Sequence, residues 1–379
     1  MNDKELKYYQ PYSIEKEYNF REKLKNTDSF YDQMLGEYEY FYKDEGNYGN
    51  RRNSDKFTAK EYCENGYILD QFHNWRTWFK NGKNIFSFSQ ELLQMLEKTD
   101  VNDLTYKSFK LPYDNFYISL KSLGIKITEN SEKIIEGVYV SIDRQAMEND
   151  YEEKDPLIFD YAISFNFVGD FLEHKLIDFD KIWDDSGYGG ANFWNYAFYF
   201  REKENIITIE NGIDDAKKMF RFSYFPENKE QIDNLHLDAF NRHIKFIDNT
   251  CKVLVNSLLY LSLPKESKDV IAKYPNDLPH NFNKKLTISK TEKEQIKIGK
   301  KISETGFSKI NYVGLSFSKN NKSNTNSGLE LSPHWRRGHW RNQAYGIQLK
   351  ENKLIWIKPT IVNKNLGIPE KGHVYEIKN

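Results

Sequence analysis

The sequence predicts an α+β protein in which a central, mostly antiparallel sheet packs on one long helix. Apolar residues recur every three or four positions from about Asp238 to Leu261, which is typical of an amphipathic helix. Four β-type runs, separated by Gly, Asn and Asp turn residues, cover 133–142, 157–168, 195–202 and 205–212. Shorter β-type runs near the C-terminus predict a small β-rich unit there.

The N-terminal region is predicted to be helical. Aromatic and apolar residues in 13–40 follow an irregular helical rhythm, which indicates one or two helices before a polar linker near 47–55. Further along, Ser87 or Ser89 precedes the leucines of 92–96 at the spacing of an N-cap and a short helix. The run 116–120 then predicts a strand.

Charge and proline positions predict three regions. The polar stretch 264–293 contains Pro275 and Pro279 and separates an acidic body from a basic end. We therefore predict an N-terminal helical region over 1–60, an acidic, aromatic-rich α+β body over 61–280, and a basic C-terminal unit over 281–379. Strands are expected there in 311–318, 353–362 and 373–377.

The charge of the chain is strongly asymmetric. The 379 residues contain 55 Lys and Arg against 56 Asp and Glu. Residues 281–379 hold 19 basic and 7 acidic residues, which leaves 36 and 49 for the remainder, so the two parts carry +12 and −13. Such a distribution favours a basic surface that faces a polyanion, most often nucleic acid, or the protein's own acidic part.

The remaining composition excludes several classes of protein. Cys63 and Cys251 lie 188 residues apart, which predicts neither a disulfide framework nor a cysteine-based zinc site and fits a reducing cytoplasm. The most apolar stretch, Val253–Leu263, is about half of the ~20 residues that a membrane-spanning helix needs. We expect a cytoplasmic protein with no membrane segment, no metal and no cofactor.

One segment combines more potential chemistry than the rest of the sequence. Within eight residues it places two histidines and three arginines, interleaved with two tryptophans: His334, Trp335, Arg336, Arg337, His339, Trp340 and Arg341. In an extended chain His334 and Arg336 share one face, and the other three polar residues share the opposite face. A bend at Gly338 would bring the two histidines to a common side.

Three interpretations of this segment remain open. In the first, His334 and His339 act as general base and acid in metal-independent RNA cleavage, while the three arginines hold the phosphate. In the second, the arginines and the faces of Trp335 and Trp340 bind single-stranded RNA without chemistry. In the third, the tryptophans pack the core and the arginines pair with the acidic body. A zinc site is disfavoured because the two histidines lack an obvious third ligand.

The same segment also carries a family resemblance. Pro333–Gln343, followed by Leu354–Asn363, resembles a C-terminal signature of phage- and plasmid-borne proteins that include the second type V-A anti-CRISPR family. Weaker similarity lies in Leu92–Ile118 and Val253–Ser262. The arginine–histidine signature is the more specific part of the resemblance.

This resemblance implies an inhibitor that lowers production of the type V-A effector nuclease. Such a protein recognises the nascent N-terminal peptide of its target during translation and causes loss of the message, so its partners are that peptide and RNA or the translating ribosome. The resemblance assigns the functional cluster to the histidines and arginines of 334–341. The alternatives are a protein-binding inhibitor that does not contact RNA and a metal-independent ribonuclease of other specificity.

Overall fold

A computed structural model describes residues 5–35, 59–101, 104–126, 134–144, 159–169, 195–224, 234–317 and 334–362. Its α-helices are α1 (Glu5–Tyr8), α2 (Gln10–Tyr18), α3 (Phe20–Lys23), α4 (Thr27–Leu35), α5 (Ala59–Lys80), α6 (Gln90–Glu97), α7 (Ile209–Tyr224), α8 (Asn234–Ser262), α9 (Phe282–Ile288) and α10 (Glu292–Glu304). Its strands are β1 (Ile85–Phe88), β2 (Thr99–Asp100), β3 (Asn115–Ser119), β4 (Ile135–Asp143), β5 (Tyr161–Gly169), β6 (Asn195–Phe200), β7 (Val270–Lys273), β8 (Ile310–Val313), β9 (His334–Arg336), β10 (Gly338–Tyr345), β11 (Glu351–Ile357) and β12 (Thr360–Val362).

Seven strands form the central sheet in the order β6-β5-β4-β3-β1-β8-β7. Strands β3 to β6 form an antiparallel meander, whereas β1 runs parallel to both β3 and β8, and β7 pairs with β8 in the antiparallel sense. The predicted α+β class with a mostly antiparallel sheet is confirmed. Strand β8 belongs to the sequence range 281–379 but lies inside this sheet, between β1 and β7.

Helices cover both faces of the sheet. Successive side chains of a strand point to opposite faces, so Phe116 and Ile118 of β3 face α6 and α8, while Tyr117 between them faces the other way. Tyr117 and its strand neighbour Tyr139 join a cluster built by α2 to α5, in which Trp75 is fully buried. Phe116 and Ile118 belong to a second cluster of buried residues, and the long helix α8 supplies most of the helical residues of that cluster.

The N-terminal helices are fastened to elements that come late in the chain. The backbone N–H of Asn276 donates to Glu5 Oε2 at 2.7 Å, and the Tyr12 and Ser308 hydroxyls lie 3.1 Å apart. Arg21 donates to the carbonyl of Thr305, at the C-terminal end of α10. The helical prediction for 13–40 is confirmed as far as Leu35, and the predicted linker at 47–55 lies outside the described residues.

Local signals predicted some elements and missed others. Ser89 caps α6 by accepting from the Leu92 N–H at 3.3 Å, and α8 extends over the predicted helix, as expected. The strand predicted over 205–212 is wrong, because α7 begins at Ile209 after Thr208 accepts from the Asn211 N–H at 3.1 Å.

In the described part of the chain, no helix has both the length and the apolar character that crossing a bilayer requires.

Candidate functional site

The second half of the arginine–histidine segment begins one strand of a hairpin that is joined to the body, whereas its first half forms the separate strand β9. Strand β10 pairs with β11 in a register that places Trp340 opposite Trp356 and Arg341 opposite Ile355. On its other side β10 runs parallel to β2, where His339 lies opposite Asp100. β10 is therefore the central strand of a three-stranded sheet, and the third strand, β2, comes directly after α6.

Two tryptophans anchor this hairpin against α8. Trp340 and Trp356 are 7% and 8% exposed and stack with ring centroids 6.0 Å apart. The Trp340 indole donates to Asn256 Oδ1 at 2.6 Å, and the Trp356 indole donates to Thr99 Oγ1 at 3.1 Å. Asn256 Nδ2 in turn donates to the Thr99 carbonyl at 2.9 Å. These bonds tie the hairpin, β2 and α8 together in one buried polar network.

This burial decides the role of Trp340. Its ring packs on Trp356 and its N–H already has a partner, so neither face is open to a nucleotide base. Trp340 therefore packs in the core, as the third interpretation proposed. The structure does not agree with the prediction that the ring of Trp340 stacks on bases. The side chains of Trp335 and His334 lie outside the described part of the chain.

The opposite face of β10 is exposed. Because side chains alternate along a strand, His339 and Arg341 both lie on the face away from Trp340, and both are exposed. Their cross-strand neighbours on β11 are Ile357 and Ile355. The sequence prediction that His339 and Arg341 share a face is confirmed.

The chain changes strand partner at Arg337. Arg336 belongs to β9, which pairs with β12, whereas Gly338 begins β10. The bend predicted at Gly338 stays a prediction, because the His334 side chain lies outside the described part of the chain. Gly338 is buried, and a Cβ at this position would lie 2.7 Å from both Pro359 Cδ and Thr99 Oγ1, so the packing requires glycine. The tight packing at Gly338 therefore fixes the position of the backbone between the exposed residues Arg337 and His339.

One carboxylate lies beside the cationic surface. Asp100 Oδ1 is 3.0 Å from Lys252 Nζ and 3.6 Å from Arg337 Nη1. The Arg337 side chain is nevertheless 70% exposed, so this contact orients the guanidinium without removing it from solvent. Among the described residues, neither Arg336 nor Arg341 makes an ion pair. We use "basic hairpin face" for the exposed residues Arg336, Arg337, His339 and Arg341.

Removal of the Asp100 charge should strengthen the attraction of this face for polyanions. Asp100→Asn leaves Arg337 and Lys252 without their shared anion, so RNA affinity is expected to rise by about two- to tenfold at low salt, given roughly 1 kcal/mol per exposed charge pair. Fluorescence anisotropy with labelled single-stranded RNA measures the change. Asp114→Asn, which alters an exposed Asp–Arg pair on another element, is the matched control. Equal or weaker binding by Asp100→Asn would contradict this electrostatic account.

The turn of the hairpin exposes apolar side chains that the sequence analysis did not single out. Four of the nine exposed large hydrophobic residues in the described part of the chain belong to the hairpin: Tyr345 (45%), Ile347 (88%), Leu349 (65%) and Ile357 (38%). Gly346, Gln348 and Leu349 have positive φ values of 80°, 57° and 56°, so the turn holds a left-handed backbone at two non-glycine residues. The signal in the sequence was Gly346 between two β-type runs. We call Tyr345–Leu349 the hairpin tip.

Within the described residues, no group of three or more His, Cys, Asp and Glu side chains is arranged to hold a metal ion. What the described side chains offer is cationic hydrogen-bond donors and one imidazole on an exposed face, next to an apolar turn.

A family comparison identifies the kind of protein that carries this hairpin. A sequence model described as "AcrVA2-like: Anti-CRISPR type V subtype A2 family" matches residues 86–364. The chain belongs to the AcrVA2-like family. The matched range runs from β1 to just beyond β12 and includes α8 and the whole basic hairpin. An anti-CRISPR function follows, and the resemblance stated from the sequence is confirmed at the level of the family.

The other comparisons are less informative about this AcrVA2-like chain. A solved structure described as "Crystal structure of AcrVA2" is 18% identical, with a TM-score of 0.43, and the similarity covers 93% of this chain and 99% of that one. No curated protein matches the sequence.

Proposed function

We propose that this anti-CRISPR protein lowers production of a type V-A effector nuclease while the effector is being translated. In this proposal the basic hairpin face binds the effector mRNA, and the hairpin tip contacts the nascent N-terminal peptide. The observation that carries the proposal is that His339 and Arg341 are exposed on a hairpin whose opposite face is packed into the core, and that Arg336 and Arg337, directly before this hairpin, are exposed as well.

The chemistry of this face suits phosphate. A guanidinium presents a planar fork of donors that matches two phosphate oxygens, and it stays charged at any physiological pH. Arg336 and Arg341 have no ion pair among the described residues, and Arg337 has only one long contact to Asp100. These donors are therefore available to a ligand without first breaking a strong interaction within the protein.

The hairpin tip supplies the second contact that the proposal needs. Ile347 and Leu349 are too exposed to stabilise the fold, and apolar side chains grouped on a surface are typical of protein interaction sites. Lys350 and Lys353 lie beside them in sequence and are at least partly exposed. An apolar peptide segment with acidic residues would match this combination.

Salt dependence tests the RNA part of the proposal. If the basic hairpin face neutralises about three to five phosphates, it should contribute roughly −2 to −3.5 to the slope of log affinity for single-stranded RNA against log salt. Anisotropy titrations at several salt concentrations measure that slope. Absence of binding at low salt would favour the alternative of an inhibitor that contacts only protein.

A denaturing gel of each titration, run in the presence of EDTA, separates binding from cleavage. If His334 and His339 act as base and acid, the wild type should shorten the RNA. His334→Ala and His339→Ala should each abolish this cleavage without changing the melting temperature of the protein. RNA of full length instead assigns loss of the message to a nuclease of the host.

Substitution of the hairpin tip should separate peptide recognition from RNA binding. Ile347→Ser with Leu349→Asn removes both exposed apolar side chains, and Asn tolerates the positive φ of Leu349. We expect repression of an effector-nuclease reporter to fall at least about tenfold, the loss of roughly 1.4 kcal/mol of apolar contact, while RNA affinity stays unchanged.

The control for this experiment changes an exposed isoleucine on another element. Ile271→Ser removes a side chain that is 50% exposed on β7, an edge strand of the seven-stranded sheet, which does not include the hairpin. A second reporter with a recoded N-terminus and unchanged downstream sequence shows whether repression depends on the peptide. Undiminished repression by the tip variant would show that the tip does not read the peptide.

A further inference from the structure

A second cationic surface lies on the helical pair α9–α10, which begins inside the polar stretch 264–293 and continues into the basic C-terminal unit. The two helices pack on each other through a small apolar cluster that includes Phe282 and Ile302. Residues 282–304 contain seven Lys and three Glu, a net charge of +4. The surface consists of exposed lysines, which we call the lysine face: Lys284, Lys293, Lys297, Lys300 and Lys301.

The lysines of α10 share one side of the helix. With 3.6 residues per turn, positions 293, 297, 300 and 301 project in similar directions, and Ile302 projects toward the apolar cluster on the opposite side. None of these lysines makes an ion pair with a described residue. Four ammonium groups on neighbouring turns repel one another, and Lys301 alone lies in the last turn, where a positive charge interacts favourably with the helix dipole.

The nearby carboxylates do not neutralise this repulsion. Glu294 is held at the start of α10, where its carboxylate accepts from the backbone N–H groups of Lys290 at 3.0 Å and Thr291 at 3.3 Å as part of a capping box. Glu292 also lies in the first turn, where its negative charge interacts favourably with the positive end of the helix dipole. Glu304, at the end of α10, makes no ion pair with a described residue, so the ammonium groups of the later turns have no carboxylate partner among the described residues.

We propose that the lysine face is a second docking surface for RNA, which binds the phosphate backbone without reading its sequence. Lysines four residues apart are separated by about 6 Å along a helix axis, so one strand of phosphates can contact several of them together. The face combines compact ammonium charges without arginine forks, which provides attraction and little base specificity. The choice of RNA as the polyanion rests on the proposed function.

The same helices are poorly suited to an anionic membrane. Membrane-surface helices insert a continuous apolar face into the lipid boundary, but the apolar side of α10 is used against α9. Only single isoleucines, Ile288 and Ile296, are strongly exposed on the two helices, at 63% and 65%. Such isolated residues do not form an inserting face.

The test is a charge-neutralising variant of the full-length protein. Lys293→Gln, Lys297→Gln, Lys300→Gln and Lys301→Gln together keep good helix formers while removing four charges. The slope of log affinity against log salt should become shallower by up to about 3 for single-stranded RNA, and to the same extent for unrelated sequences. Lys7→Gln, Lys16→Gln, Lys80→Gln and Lys203→Gln remove four exposed charges elsewhere and serve as the control.

The outcomes separate this inference from the proposed function. Loss of RNA affinity in the lysine-face variant, with the control unchanged, supports the inference. This holds even if variants of the basic hairpin face bind RNA normally, a result that would overturn only the proposed role of the basic hairpin face. Wild-type affinity and slope in the lysine-face variant overturn the inference and leave the proposed function intact. Absence of RNA binding by the wild type overturns both, and binding to vesicles of three parts phosphatidylcholine to one part phosphatidylglycerol would then reassign the face to lipid.

Discussion

Simultaneous replacement of Arg336, Arg337 and Arg341 by glutamine should weaken RNA binding by about 100- to 1,000-fold at low salt. This loss corresponds to about 0.9–1.4 kcal/mol for each guanidinium, less than the roughly 1.5–3 kcal/mol of a hydrogen bond to a charged group, because these three side chains are exposed to solvent. Loss of three phosphate contacts should also make the salt slope shallower by about 2 for single-stranded RNA. Repression of the effector should fall in parallel, because the proposed function places mRNA binding on this face.

The melting temperature should not change, which separates this prediction from a structural role. Among the described residues, Arg337 makes the one ion pair of the three, at 3.6 Å and 70% exposed, and such a contact stabilises little. A variant in which the same three arginines are replaced by lysine keeps the positive charges but lacks the planar fork of guanidinium donors. It should therefore bind RNA more weakly while the slope of log affinity against log salt stays nearly the same. Lys7→Gln with Lys16→Gln and Lys80→Gln is the control of equal charge. Unfolding of the glutamine variant, or RNA binding equal to wild type, would contradict the proposed role.

Local sequence rules predicted much of the secondary structure and the face that His339 and Arg341 share. Alternation along an extended segment was enough to place His339 and Arg341 together and to separate them from Trp340. The same rule could not say which face is buried, because the partner that buries Trp340 is Asn256, which is 84 residues away. The N-cap at Ser89 was predictable for the same reason as the alternation, since it depends on neighbouring residues.

Elements that depend on distant partners were the ones that sequence rules missed. The pairing of β8 with β1 joins residues about 225 positions apart, and no local signal indicates a parallel neighbour of that kind. In contrast, α10 carries a readable signal, Thr291 followed three residues later by Glu294, which forms the observed capping box. The run 205–212 was misread because isoleucine-rich residues that enter a helix resemble a short strand until the cap at Thr208 is recognised.

The anchor of the hairpin should matter for stability and not for contact with RNA. Asn256→Leu removes the acceptor of the Trp340 indole N–H and the donor to the Thr99 carbonyl, both in a buried network. Each polar group left without a partner costs about 1–3 kcal/mol, so the free energy of unfolding should fall by about 2–5 kcal/mol. Urea denaturation followed by tryptophan fluorescence measures this loss, and Asn211→Leu, at an exposed asparagine of α7, is the control.

A double-mutant cycle attributes this loss to the network. Trp340→Phe removes the indole donor, so it should cost less in the Asn256→Leu background than in the wild type, with a coupling energy of about 1–3 kcal/mol. Independent effects of the two substitutions would show that the 2.6 Å contact does not stabilise the hairpin. Because Asn256 is fully buried and lies behind the hairpin, the fraction of Asn256→Leu protein that remains folded should bind RNA with the affinity of the wild type. The arginine variants should show the reverse, an unchanged stability with lost affinity, and the two results together distinguish the residues that hold the hairpin from those that contact the ligand.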